Sequence, residues 1–283
     1  MMENVKRMMK PVLIGLFYLA VFLIVERWDL PVSEYLTRHA SPVINFIGAR
    51  FGPLPSVILP AWCLLCLGEY REKNRIYHFA ALVILCVGAY NAVKPDLSSM
   101  PGIFVMILVW AALYALVRRF PIPGFNEYNE AVMWFSVTVS LLSQGIVQLM
   151  KLIWGRPRYI AIQLLGAEFR RWYEIAGLAW RSDFYRSFPS GHTVSAASIF
   201  LIVFLPRLFP EKNWNPRHAW LIGAMYTAFV AATRIFSGMH FVSDVMAGCG
   251  VFLLVMAVDT LYMRLRGREL FPLLEKEMMT DEN

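Results

Sequence analysis

The chain has 283 residues, of which 58% are hydrophobic and only 17% charged, with a mean hydropathy of +0.51. Disorder would need low hydrophobicity and high charge, and collagen or disulfide-scaffold chains would need far more than the 17 Gly and 4 Cys present. The formal charge of +7 is not read as a nucleic-acid footprint, because much of the basic excess sits beside the ends of apolar segments, as it does in membrane proteins.

The first apolar run, 11–25, follows Lys6, Arg7 and Lys10 and so begins like a signal peptide. No small-residue cleavage site follows, and Glu26-Arg27-Trp28 reads as an interfacial flank, so a retained anchor is expected. Seven further runs lie near 53–68, 77–93, 101–117, 131–154, 192–209, 218–236 and 240–263, each close to the roughly 20 residues a helix needs to cross a bilayer. The expectation is an all-α, polytopic helical bundle of about eight spans. With the N-terminus in the cytoplasm, alternate connections collect Arg71, Lys73 and Arg75, then Arg118 and Arg119, then Arg207, Lys212 and Arg217, and finally Arg264, Arg266 and Arg268. Both termini are therefore expected in the cytoplasm. Three parts follow: N-terminal transmembrane helices over 1–130, a core over 131–263, and a cytoplasmic tail over 264–283 with one short amphipathic stretch. Cys63, Cys66, Cys86 and Cys249 all fall inside apolar runs and are read as buried small hydrophobes; one CxxC without a second pair makes no zinc site.

The connection 155–191 is long, lies on the outer side in this orientation, and is unusually basic there, with Arg156, Arg158, Arg170, Arg171, Arg181 and Arg186. Something anionic is expected to offset that charge. Its Phe169, Trp172, Tyr173, Trp180, Phe184 and Tyr185 are either an interfacial lid or an ordinary aromatic belt. Three polar clusters meet on this face. Lys151 to Arg158 close the fifth run; Lys151 alone would read equally well as a snorkelling lysine. Ser187-Phe188-Pro189-Ser190-Gly191-His192 precede a run of helix formers, where Ser190 alone would read as an N-cap and the helix start as an anion cradle. Thr233-Arg234 end the seventh run, and His240 and Asp244 open the eighth at a spacing of four, which puts carboxylate and imidazole on one helical face. Cations, a helix-start cradle and two histidines form an inventory for phosphoryl transfer without a metal or cofactor; His192, His240 and Asp244 are too few ligands for a zinc or paired-metal centre.

These residues resemble the membrane-bound type 2 phosphatidic acid phosphatases, whose pattern is K-x6-RP, PSGH and SR-x5-H-x3-D. Here it reads Lys151-x6-Arg158, Pro189-Ser190-Gly191-His192 and Thr233-Arg234-x5-His240-x3-Asp244, in order and at the right spacing, over roughly 131–263. Tyr159 stands where the family has proline, and Thr233 where it has serine. The resemblance implies a six-helix phosphatase core, here with two extra N-terminal spans, and a catalytic set of His240 as nucleophile forming a phosphohistidine, Asp244 as its orienting partner, and His192 as acid and base. It implies phosphate binding by Lys151, Arg158, Arg234, Ser190, the Gly191 N–H and the Thr233 hydroxyl. Arg156 is either an outer contact or a lipid head-group anchor. The expected reaction is hydrolysis of a phosphate or pyrophosphate of a membrane lipid, such as phosphatidic acid, phosphatidylglycerol phosphate, undecaprenyl pyrophosphate or a lipid A phosphate, at the outer face of a bacterial inner membrane. A lipid-to-lipid phosphotransferase and a non-catalytic lipid-binding protein are the alternatives; both histidines argue for chemistry. Vanadium haloperoxidases share the motif set but are soluble. The partners expected are the lipid substrate and the bilayer, with no nucleic acid.

Overall fold

The computed structural model describes residues 2–71, 74–93, 100–177, 182–212 and 214–270. Among them every regular element is helical. α1 (Met2–Val25), α2 (Asp29–Arg38), α3 (Pro42–Phe51), α4 (Pro55–Tyr70), α5 (Arg75–Val93) and α6 (Met100–Arg119) make up the N-terminal half. α7 (Glu127–Trp154) and α8 (Tyr159–Leu165) follow. A rod over 191–208 then runs through α9 (Gly191–Ala197), a 3-10 stretch (Ser198–Phe204) and α10 (Leu205–Leu208), before α11 (Pro216–Phe236) and α12 (Val242–Leu265).

All eight apolar runs fall on helices, and five helical segments among the described residues are long and apolar enough to cross a membrane: Pro42–Tyr70, Glu127–Leu165, Gly191–Leu208, Pro216–Phe236 and Val242–Leu265. Leu149, Met225, Leu254 and Val258 stand exposed on these helices, an apolar outer surface that water would penalise and hydrocarbon accepts. The protein is integral to the membrane. α7 shows how the bundle closes. Asn126 caps its start, accepting from the Tyr128 and Asn129 N–H groups at 3.0 and 3.2 Å, while Asn129 returns a bond to the Asn126 N–H. Its buried stripe, Val132, Ser136, Val139, Ser143 and Val147, advances by three or four residues and packs on α4 and α12. Ser136 and Ser143 donate back to the Val132 and Val139 carbonyls at 2.8 and 2.6 Å, so small polar residues face neighbouring helices without stranding a donor.

The passages alternate between two ends. One end gathers the α1–α3 region, the loop 155–191 and the α11–α12 turn. At the other, Arg118 meets Glu69 at 2.6 Å, Arg71 pairs with Glu130, Arg207 lies over the Tyr128 ring, and the Tyr128 hydroxyl donates to the Leu270 carbonyl at 3.0 Å. α2 and α3 were not among the apolar runs. At ten residues each they are too short to cross a bilayer alone, although α3 leads directly into α4 as one apolar segment, and they pack on α11 at the first end. Cys63 and Cys66 are buried as expected, but Cys86 is exposed and Cys249 half-buried, because an apolar residue on a lipid-facing helix surface has no need of a protein core. The amphipathic stretch expected in the tail lies mainly beyond residue 270, outside the described residues, as do Trp180 and Arg181.

Candidate active site

Lys151, Arg158, Gly191, His192, Arg234 and His240 line one cavity of about 880 Å³ at the end of the bundle where α1–α3 and the long loop meet. They arrive from five places in the chain, Gly191 and His192 together from the start of α9. Lys151 sits in the last turn of α7, buried, and its Nζ donates to the Arg186 carbonyl at 2.8 Å. Arg158 is the residue before α8; its backbone N–H bonds the Phe184 carbonyl at 2.8 Å and its guanidinium pairs with Asp183 at 2.9 Å. Tyr159 opens α8, is buried, and packs edge-on to Phe241, so the residue that replaces the family proline wedges the turn beside His240 while Arg158 still reaches the cavity.

The spacing from Arg234 to His240 has a backbone cause. The Arg234 carbonyl accepts from the N–H groups of Met239 and His240 at 3.1 and 3.2 Å, a closure of the Schellman kind that spans six residues. Gly238, at φ +66°, takes the left-handed position this reversal requires. His240 thus lies before α12 rather than on it. The proximity expected from a shared helical face comes instead from a cap: the Asp244 carboxylate reaches back to the Phe241 N–H at 2.8 Å and so comes within 3.6 Å of His240 Nδ1, an ion-pair distance rather than a hydrogen bond. Burial holds the His240 imidazole far below its ordinary value, at about 3; the nearby Asp244 opposes this, and the Lys151 and Arg158 cations reinforce it. The ring is therefore neutral at physiological pH and keeps a lone pair.

The structure separates the remaining motif residues from the cavity wall. Ser190 is the N-cap of α9: its Oγ accepts from the Thr193 N–H and hydroxyl at 3.3 and 2.9 Å, and its own N–H goes to the Asp244 carbonyl at 2.9 Å. Thr233 donates its hydroxyl to the Val230 carbonyl of its own helix at 2.7 Å and faces Gly48 of α3, so the phosphate hydrogen bond expected of it has no free donor. Arg156, expected to be an outer contact or a lipid head-group anchor, is fully buried. Its guanidinium donates to Asp244 at 2.6 Å, Ser243 at 2.8 Å, Asp29 at 2.9 Å and the Arg170 carbonyl at 2.8 Å, and it lies over the Phe241 ring. Asp244 also accepts from the Ser187 hydroxyl at 2.5 Å. Sequence reasoning missed Asp29 and Ser243 and gave Ser187 no role of its own; a charged residue just beyond an apolar run reads as an interfacial flank, and nothing local to Asp29 announces partners 127 and 214 positions away.

The cavity has a second, apolar part walled by Phe46, Val57, Val83, Ile84, Val87 and Leu141 from α3, α4, α5 and α7. None of Phe169, Trp172, Tyr173, Phe184 or Tyr185 lines it. Phe169 and Trp172 instead pack against Phe241 and Phe188, which pins the loop down rather than making it a lid. Among the described residues no group of three or more His, Cys, Asp or Glu side chains is placed to hold a metal ion.

The model of the PAP2 superfamily matches residues 132–268, the stretch that supplies every motif residue above. The stretch that carries the site is therefore similar to that superfamily. Among curated relatives, the chain is 32% identical to phosphatidylglycerophosphatase B of Bacillus subtilis over 114 residues, covering 38% of this chain and 53% of that one. It therefore spans about half the length of that relative. It is 27% identical to the lipid A 4'-phosphatase of Rhizobium leguminosarum over 167 residues, covering 57% of this chain and 67% of that one. Among solved structures it matches the transmembrane PAP2-type phosphatidylglycerolphosphate phosphatase of Bacillus subtilis, at 17% identity and a TM-score of 0.40, over 87% of this chain and 95% of that one.

Proposed function

We propose that the protein is a membrane-embedded phosphatase that hydrolyses a phosphate or pyrophosphate of a lipid from the outer face of the membrane through a phosphohistidine at His240. The observation that carries this reading is the two-part cavity: His240, His192 and the cations Lys151, Arg158 and Arg234 at one pole, and an apolar wall of α3, α4, α5 and α7 at the other. A molecule that fits both parts has an anionic head and a hydrocarbon tail. The names of the two curated relatives, each a phosphatase of a lipid, point to the same substrate class.

In the proposed reaction the His240 ring nitrogen remote from Asp244 attacks phosphorus. Asp244 stabilises the positive charge that develops on the ring, and the three cations take up charge on the non-bridging oxygens. The bond from phosphorus to the lipid oxygen breaks as His192 gives that oxygen a proton. His192 then accepts a proton from water, the resulting hydroxide attacks phosphorus, and the nitrogen–phosphorus bond breaks to release phosphate. Charge neutralisation, the task a metal often performs in phosphoryl transfer, is assigned here to side chains.

The test is phosphate release by detergent-purified protein from phosphatidic acid, phosphatidylglycerol phosphate, a prenyl pyrophosphate and a lipid A phosphate, with a chelator present. Release that persists with chelator and falls at least about 1,000-fold in His240→Ala is the expected result, in line with loss of a nucleophile. Full activity in His240→Ala would overturn the phosphohistidine, and dependence on added metal would overturn the metal-free assignment.

A further inference from the structure

We propose that Asp29, from the segment that precedes the region matched by the PAP2 superfamily, is a positioning residue for His240, acting through Arg156 and Asp244. The inference rests on the phosphatase reading above. Asp29 and Asp244 are both fully buried and stand on either side of one guanidinium: Arg156 donates to Asp244 Oδ1 at 2.6 Å and to Asp29 Oδ2 at 2.9 Å, and its exposed area is zero. Two buried carboxylates share one buried cation behind His240, so Arg156 does not neutralise Asp244 alone, and the Asp244 charge stays available to an imidazole that must become cationic.

Asp29 does a second thing at the same place. It accepts from the backbone N–H of Ser243 at 2.8 Å and from the Ser243 hydroxyl at 2.5 Å, so it satisfies a donor in the first turn of α12, the turn that carries Asp244. Ser243 Oγ in turn accepts from Arg156 at 2.8 Å. The Asp244 carboxylate is thereby held on three sides, by Arg156, by the Ser187 hydroxyl and by the Phe241 N–H, with His240 on the fourth. Burial pushes the Asp29 carboxyl above its ordinary value, with Arg156 opposing most and the Ser243 hydroxyl helping, so its charge is costly to keep in place and depends chiefly on this arginine. Without the Asp29 charge, Arg156 is left to Asp244 alone. The guanidinium is then free to take both Asp244 oxygens in the two-point geometry it favours, which turns the carboxylate away from His240.

Arg156 and Asp29 do not reach the cavity, whereas Lys151, Arg158 and Arg234 do. Loss of Asp29 should therefore weaken bond formation by His240 while leaving simple anion binding intact. The experiment is Asp29→Asn, purified and checked for folding by its thermal midpoint and elution volume. Wild type and variant are compared in kcat, KM, and inhibition by inorganic phosphate and by vanadate, an anion that becomes five-coordinate by taking a bond from the nucleophile. The expected result is a kcat lower by about 10-fold to 100-fold, the usual effect of losing an outer hydrogen-bonding partner. KM and phosphate inhibition should stay within about twofold of wild type, while vanadate inhibition weakens by a factor similar to the fall in kcat. A purely structural role would weaken phosphate and vanadate inhibition together or leave both unchanged, and either pattern overturns the proposal. If Asp29→Asn does not fold, Arg156→Lys reads the same tie from its other end, because a lysine can serve only one of the two carboxylates at full strength. The same split of phosphate from vanadate is expected there, and its absence overturns the proposal. Wild-type protein that releases no phosphate from any lipid would instead sink the phosphatase reading itself.

Discussion

At the residue scale, the cavity carries one charge of the wrong sign. Asp183, largely exposed, sits on the cavity wall and holds Arg158 at 2.9 Å, the side chain assigned to phosphate. An arriving anion must displace that carboxylate. Exposed pairs of this kind are worth on the order of 0.2–1 kcal/mol, so Asp183→Asn should tighten inhibition by inorganic phosphate by up to about fivefold. The inhibition constant of the variant measures it; unchanged or weaker inhibition would show that Asp183 orients Arg158 instead of competing for it. The motif residues themselves were legible in the sequence because their spacings are set by local backbone geometry, as in the six-residue closure from Arg234 to His240. What each does was less so. Arg156 and Arg158 are two residues apart in a basic loop, yet one faces the cavity and the other is locked between Asp29 and Asp244, and only contacts distant in sequence distinguish them.

At the element scale, the piece the sequence hid is the α2–α3 pair, whose ten-residue helices carry too little continuous apolar length to register as spans. They shape the site all the same. Ala49, Arg50 and Phe46 of α3 line the cavity, and the Ala49 backbone lies beside the His192 ring. α3 comes this close to α11 because Gly48 has no side chain: a Cβ there would sit 1.9 Å from the Thr233 hydroxyl oxygen and 2.5 Å from its Cβ. Gly48→Ala must push the helices apart, at a cost of about 1–3 kcal/mol, the usual range for an overpacked contact. A lower thermal midpoint in detergent and reduced activity are expected. Thr233→Ala removes the hydroxyl and methyl but leaves its Cβ 2.5 Å away, so the double variant Gly48→Ala with Thr233→Ala should regain part of both, and the cycle of four proteins reads the coupling directly. If the two losses simply add, the α3–α11 contact does not set the position of the site. Thr233→Ala alone should leave phosphate inhibition unchanged, because that hydroxyl is spent on its own helix.

At the scale of the whole molecule, the basic loop 155–191 poses the question of which way the protein faces. Six arginines on an outer loop run against the positive-inside trend, and the sequence alone required an anionic offset of unknown kind. Much of that offset lies within the chain: Arg156 is balanced by Asp29 and Asp244, Arg158 by Asp183, and Arg171 meets Glu26 at 3.1 Å. Three of the six arginines are thus matched by carboxylates, three of which come from outside the loop, and the loop's charge count overstates the field that the membrane feels. The orientation can then follow the connections at the opposite end, with Arg207, Arg217, Arg264, Arg266 and Arg268 toward the cytoplasm and the cavity outward. In a background where the exposed Cys86 is replaced by serine, Tyr173→Cys marks the loop and Trp214→Cys marks the connection before α11, both at exposed positions. A thiol reagent that cannot cross membranes should modify Tyr173→Cys on intact cells and reach Trp214→Cys only after permeabilisation. The reverse pattern would put the cavity on the cytoplasmic side and restrict the substrate to lipids whose phosphates are presented there.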